Sequence, residues 1–161
     1  MWPFITLEED QTGLVERNGE YHRTIFADSK KHFIIPFYEK LYIYDQIPIF
    51  KKICFIIVEA NENLKLDIDI YVKYKMLEPF KARYKFEKQG EDPVIKDFVA
   101  KILHHKFEEM HYGEILKQKY AISQSVRKQL KEFGFSVGIK VLSSEIKNVR
   151  KLKNVFIKED P

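Results

Sequence analysis

The sequence predicts an α+β fold: a curved, mostly antiparallel β-sheet with helices packed on one side. Three observations predict it. Strand signals fill the first half of the chain and culminate in strict period-two alternation over Leu64 to Met76, helical periodicity takes over after Gly90, and period two returns after Gly134. Strands followed by helices and a closing strand is the order of an α+β domain.

The elements follow in turn. Gly13-Leu14-Val15-Glu16-Arg17-Asn18-Gly19 reads as a strand entering a turn, because Asn-Gly is a strong hairpin signal, and Tyr21 to Phe26 returns from it. The charge-free run Phe33 to Tyr38 is far short of the roughly 20 apolar residues a spanning helix needs. Pro36 removes a backbone donor, which favours a strand end, a sheet edge or a bend. The residues alone leave two readings open, a buried element or one at a membrane surface. Leu41 to Tyr44 and Ile53 to Val58 supply two more strands, with Pro48 as the breaker between them.

The clearest local signal is the alternation of Leu64, Leu66, Ile68, Ile70, Val72, Tyr74 and Met76 with Lys65, Asp67, Asp69, Tyr71, Lys73 and Lys75. It predicts a half-buried strand with a charged outer face, the pattern of antiparallel pairing. At about 3.3 Å per residue it would reach about 43 Å, so twist or a bulge should curl it over the core. Pro79 closes it.

Gly90-Glu91-Asp92-Pro93 opens a helix, with Asp92 as the expected N-cap and Pro93 at the first helical position. Ile95, Phe98, Val99, Ile102, Leu103, Phe107 and Met110 share one side of it. A second helical region places Ile115, Ile122, Val126, Leu130 and Phe133 together, with a restart at Ser123 and a left-handed cap at Gly134. Phe135, Val137, Ile139 and Val141 then alternate in a final strand.

A chain of 161 residues is expected to form one domain, residues 1–161, with its core over about 5–150 and a flexible tail over 151–161. The apolar fraction of 45% and charged fraction of 32% are globular values. Cys54, the one cysteine, sits in an apolar run and reads as a small core side chain, consistent with a reducing compartment. Met1-Trp2-Pro3-Phe4 leads into acidic residues, so no signal peptide is predicted. Net charge is +4, yet residues 117–158 hold eleven Lys or Arg against two Glu. That basic end suits phosphates, anionic lipid or an acidic partner, and a solvated lysine-rich surface is the simplest account of it.

Chemistry-bearing motifs are few. His104, Glu108 and His111 would share one side of a continuous helix and could meet a metal, but no second such set accompanies them and the zinc-protease order is absent. Nucleophile elbows, phosphate loops and dinucleotide glycine fingerprints are absent too. Neither a metal nor a cofactor is expected, and an enzyme is the less favoured class. A nucleic-acid-binding domain would use the basic C-terminal part and stacking aromatics; most aromatics, however, fall on core-facing periods or in apolar runs. Trp2, Phe4 and Ile5 sit at a terminus where aromatic rings could dip into a membrane interface, or where Trp2 could cap the core.

Four segments in order resemble the SPFH domain, or band 7, of stomatins, prohibitins, flotillins and the HflK/HflC proteins. They are Thr12 to Gly19, His32 to Phe37, Leu66 to Pro79 with Lys81-Ala82, and Val126 to Leu130 with Phe133 to Val137. The resemblance covers about residues 5–150. Ser29-Lys30-Lys31 departs from the family's usual Pro-Gly, and Glu59 to Asn63 from its usual turn before the long strand. The family's N-terminal membrane hairpin and long C-terminal coiled coil are not found in these residues.

The resemblance implies a non-enzymatic scaffold that associates peripherally with the cytoplasmic side of a membrane, with any transmembrane anchor outside these residues. It also implies that His32 to Phe37 is a strand near the membrane-facing side, mainly core with a surface contact. It implies partners of three kinds: itself or related SPFH proteins in an oligomer, the membrane surface, and a membrane-bound protease or channel. A soluble protein-interaction module is the alternative. Side-chain chemistry, not a family motif, nominates Trp2, Phe4 and Phe37 as membrane-proximal residues and Lys147, Arg150, Lys151 and Lys153 as contacts to an anionic partner.

Overall fold

Strands are the main regular structure of this α+β chain, in antiparallel sheets that hold 41% of its described residues. The computed structural model describes residues 3–152. In order they form β1 (Phe4–Ile5), β2 (Gln11–Arg17), β3 (Glu20–Phe26), β4 (His32–Phe33), β5 (Glu39–Asp45), β6 (Ile49–Glu59), β7 (Lys65–Met76), α1 (Pro79–Lys81), a π-helical turn (Ala82–Glu87), α2 (Glu91–Phe107), α3 (Tyr112–Lys117), α4 (Lys119–Ser136) and β8 (Ile139–Lys151). Pairing is distributed over three sheets, ordered β1-β4, β3-β2-β5 and β6-β7-β8. Over the described residues, two compact units form. The first comprises the chain up to Phe50, Lys73–Glu91 and Lys131–Leu142; the second comprises Lys51–Val72, Asp92–Leu130 and the chain from Ser143 on.

In the first unit the Asn18-Gly19 signal produces the hairpin it predicts. Both residues have positive φ, 53° and 83°, as a two-residue primed turn requires, and Arg17 pairs with Glu20 across it. β2 is the central strand, so Leu14, Val15 and Glu16 are buried in succession instead of alternately. Val15 joins Leu7, Ile25 and Ile34 in one apolar cluster. Glu16 accepts from Tyr84 Oη at 2.9 Å and Arg83 Nε at 3.2 Å, which ties the π-helical turn to β2.

The helix expected to stop at Gly134 continues to Ser136, and the left-handed residue is Gly138, with φ 81°. Gly134 serves close packing instead: a Cβ there would lie 3.0 Å from the Ile139 carbonyl oxygen and 3.1 Å from Val141 Cγ2. Phe135 therefore belongs to the helix, half-exposed, and β8 begins only at Ile139 and runs on to Lys151.

The second unit corrects several expectations. The alternation in β6 slips at Cys54 and Phe55: Ile53, Ile56 and Val58 are buried, Cys54 is only half-buried, and Phe55 is exposed with φ 58°. Cys54 is thus not a core side chain. On β7 the outer face is not solvated where Asp67 and Asp69 lie, since both are buried beneath Arg150. α2 begins at Glu91, so Asp92 falls inside its first turn and pairs with Lys51 at 3.2 Å. Its apolar stripe is buried at Ile95, Val99, Ile102, Leu103 and Phe107. The break in the second helical region falls at Gln118, not Ser123; buried Ser123 accepts the Ile146 N–H at 3.2 Å. Aromatics assigned to the core by their runs are partly outside it, with Phe26, Phe33, Phe37, Tyr38, Phe50 and Phe55 all exposed.

Candidate functional site

The segment His32 to Tyr38 is neither a long strand nor mainly core. Only Ile34 is buried; two residues pair as β4, with Phe33 exposed at its end, and the remainder forms a loop that displays Phe37 and Tyr38 to solvent. Pro36 enforces this, because a residue without an N–H cannot extend the ladder. β4 pairs with β1 in the register Phe4 to Phe33, and the two rings meet in a tilted contact with centroids 5.3 Å apart. Ile34 N–H donates to the Pro3 carbonyl at 2.6 Å.

The rest of the loop is a closed turn. Glu39 N–H donates to the Ile35 carbonyl at 2.9 Å and Asn18 N–H to the Tyr38 carbonyl at 3.2 Å. Between them Phe37 adopts φ 69° with its ring fully exposed. A left-handed aromatic residue costs about 1–2 kcal/mol and here gains no burial, the kind of local strain that marks functional surfaces.

Glu39 holds this loop in place. Its side chain is wholly buried, and its Oε1 accepts from Arg17 Nη2 and Arg23 Nη1, each at 2.8 Å, while Oε2 accepts the Ile35 N–H at 3.0 Å. Arg23 also donates to the Phe33 carbonyl at 2.7 Å. Burial alone raises the carboxyl pKa, but the bonds from Ile35, Arg23 and Arg17 outweigh it and lower it to about 2. The carboxylate therefore stays ionised, and the aromatic loop stands on a fixed base. Lys30, Lys31 and Lys40 flank the loop in sequence, all exposed.

Of the residues nominated from sequence, Phe4 and Phe37 fall in this one assembly; Trp2 and Lys153 lie outside the described residues. The basic candidates fall in the second unit. Arg150 is held by Asp67 at 2.8 Å and Asp69 at 2.9 Å, so its charge is already neutralised. Lys147 sits 3.1 Å from Glu145 and 5.4 Å from the Tyr71 ring centroid, and Lys151 stands 4.5 Å over Tyr112. Sequence reasoning missed Arg17, Arg23, Phe33 and Glu39. Glu39 alone carried a faint signal, a carboxylate directly between the apolar run Phe33 to Tyr38 and the strand that follows.

His104 and Glu108 approach at 3.6 Å, but His111 does not join them. α2 ends at Phe107, and His111 is the N-cap of α3. Among the described residues no group of three His, Cys, Asp or Glu is placed to hold a metal.

The SPFH domain / Band 7 family profile matches residues 5–156, nearly the whole chain. The chain belongs to the SPFH domain / Band 7 family. Members are generally membrane-associated, scaffold-type proteins that form oligomers and are not enzymes. No curated protein matches the chain.

Proposed function

We propose that this domain is a peripheral membrane-binding scaffold whose contact with the bilayer is the loop carrying Phe33 and Phe37, joined by Phe4. The observation that carries the reading is Phe37: strained, fully exposed, and mounted on a turn that buried Glu39 fixes. Aromatic rings suit the headgroup boundary, and the exposed Lys30, Lys31 and Lys40 suit anionic headgroups. Among the described residues no helix is long and apolar enough to cross a membrane, which fits a surface contact through the loop. Self-association, or association with related family members on the cytoplasmic face, would concentrate such weak contacts and present a surface to a membrane-bound protease or channel. Lys147 and Lys151 are secondary contacts to an anionic surface, with Arg150 excluded by its ion pairs and Lys153 outside the described residues.

Flotation of the purified chain with neutral and anionic vesicles, at low and high salt, tests this. The expected result is flotation that Phe37→Ser weakens at either salt concentration. Lys30→Glu/Lys31→Glu should weaken only the anionic, low-salt arm. A chain that stays at the bottom throughout would overturn the reading in favour of a soluble protein-interaction module, and co-purification with material absorbing at 260 nm would favour the nucleic-acid alternative.

A further inference from the structure

The second unit holds a cavity of about 570 Å³ against α2, with Gln129 of α4 on its far wall. That volume lies in the range of small-molecule sites, about 300–1,000 Å³. Its floor is Phe98 and Ile102, one turn apart on α2; Lys106 continues the same line a turn further on, and Lys101 and His105 stand beside it. Among the described residues, the side chains of Lys101, His105 and Lys106 enter no ion pair; the one carboxylate of the rim, Glu108, lies 3.6 Å from His104. Cations in the last turn of a helix complement its dipole, which accounts for His105 and Lys106 but not for Lys101, which lies earlier in α2. Nor does it account for an apolar floor beneath two lysines that no carboxylate contacts at ion-pair distance.

We infer that this groove binds a small amphiphile consisting of one apolar chain and an anionic head. The chain lies over Phe98 and Ile102, and the head meets Lys101 and Lys106, with His105 and the Gln129 amide as further donors. Apolar area and charge are both complementary to such a ligand: buried chain would be removed from water, and the head would neutralise two lysines in a partly enclosed site. The inference does not depend on the aromatic loop, which belongs to the other unit.

Calorimetric titration of the full chain with octanoate, decanoate and dodecanoate, below their micelle concentrations, tests it. Saturable one-to-one binding should tighten about two- to fourfold per added methylene. Decanol should bind at least tenfold more weakly than decanoate. Lys101→Ala/Lys106→Ala should remove that preference, and Gln129→Trp, a change at an exposed position, should block the groove while the thermal melt stays unchanged. Decyl phosphate serves as the second head: tighter binding than decanoate identifies a phosphate-bearing ligand, the reverse a carboxylate. Absence of saturable binding, equal affinity for decanol and decanoate, or undiminished binding by Gln129→Trp would each overturn the inference.

Discussion

Arg23 and Glu39 lie sixteen residues apart and meet twice, Nη1 to Oε1 at 2.8 Å and Nη2 to Oε2 at 3.2 Å, while the same Nη2 donates to the Phe33 carbonyl at 2.7 Å. One guanidinium thus couples a buried carboxylate to the strand residue that leads into the exposed aromatic loop. With the Ile35 N–H on the other side of that carboxylate, the display of Phe33 and Phe37 depends on a charge that solvent does not reach.

That charge sets a pH dependence. The Glu39 carboxyl is held at about 2 in the folded chain, below its ordinary 4.5, and Asp69 is lowered from 3.8 to about 2 chiefly by its hydrogen bonds from Arg150. Groups whose folded pKa is depressed contribute stability that is complete above the unfolded value and lost as pH falls through the folded one. Stability should therefore decline from about pH 4.5 toward pH 2. Glu39→Gln keeps the shape but removes the charge, which should cost about 2–3 kcal/mol near neutral pH and flatten that acid slope. Urea unfolding at pH 7, 4.5 and 3 measures both; an unchanged slope would dissociate Glu39 from the acid transition.

Phe37 offers a separation of stability from binding. Its φ of 69° is unfavourable for any side chain but glycine, and the ring is fully exposed. Phe37→Gly should relieve the strain and raise stability by about 0.5–1 kcal/mol after the entropy of glycine in the unfolded chain is counted. It should also reduce vesicle flotation severalfold. A variant that is destabilised would show that the ring makes a contact the fold requires.

The hairpin, the long β7 strand and the buried stripe of α2 were legible because each is a local pattern: Asn18-Gly19, alternation over Leu64 to Met76, and Ile95, Val99, Ile102 and Phe107 at helical spacing. The slips came where partners are distant. Nothing near Asp67 or Asp69 announces Arg150, and nothing near Glu39 announces Arg17 and Arg23. The loop at Phe37 was legible as apolar but not as exposed, since composition alone does not separate a core run from a displayed one. Likewise the helix stop was assigned to Gly134, the first glycine after the stripe, when Gly138 is the one with the backbone that requires it.

Arg150 caps two buried carboxylates, and Asn148 donates to one of them at 3.1 Å. Arg150→Ala leaves Asp67 and Asp69 together without a counter-charge. Because the arginine is half-exposed, water can reach part of the site, and the loss should be clear but well short of the full penalty of a sealed pair. Adding Asp69→Asn should restore part of it. A denaturation series on the three chains measures the recovery; additive losses would mean that Asp69 and Arg150 act independently.

Two glycines make opposite predictions. Gly138 has φ 81°, and its carbonyl accepts from the N–H groups of Leu77 and Glu78 at 2.9 and 3.0 Å. A Cβ there would come within 2.5 Å of Ala82 N and 2.6 Å of the Glu78 carbonyl oxygen, both backbone atoms that cannot swing aside. The left-handed φ alone costs an alanine about 1–2 kcal/mol, and displacing the backbone adds to it, so Gly138→Ala should lose about 3 kcal/mol or more. Gly113 lies in α3 at an ordinary helical position with nothing within 4 Å of its would-be Cβ. Gly113→Ala should gain about 0.5–1 kcal/mol from helix propensity. Thermal melts of the two variants beside the parent chain read both signs at once. A mild effect at Gly138 would mean that the Leu77–Glu78 segment can move away from α4's C-terminal turn, contrary to the tight approach that its two hydrogen bonds describe.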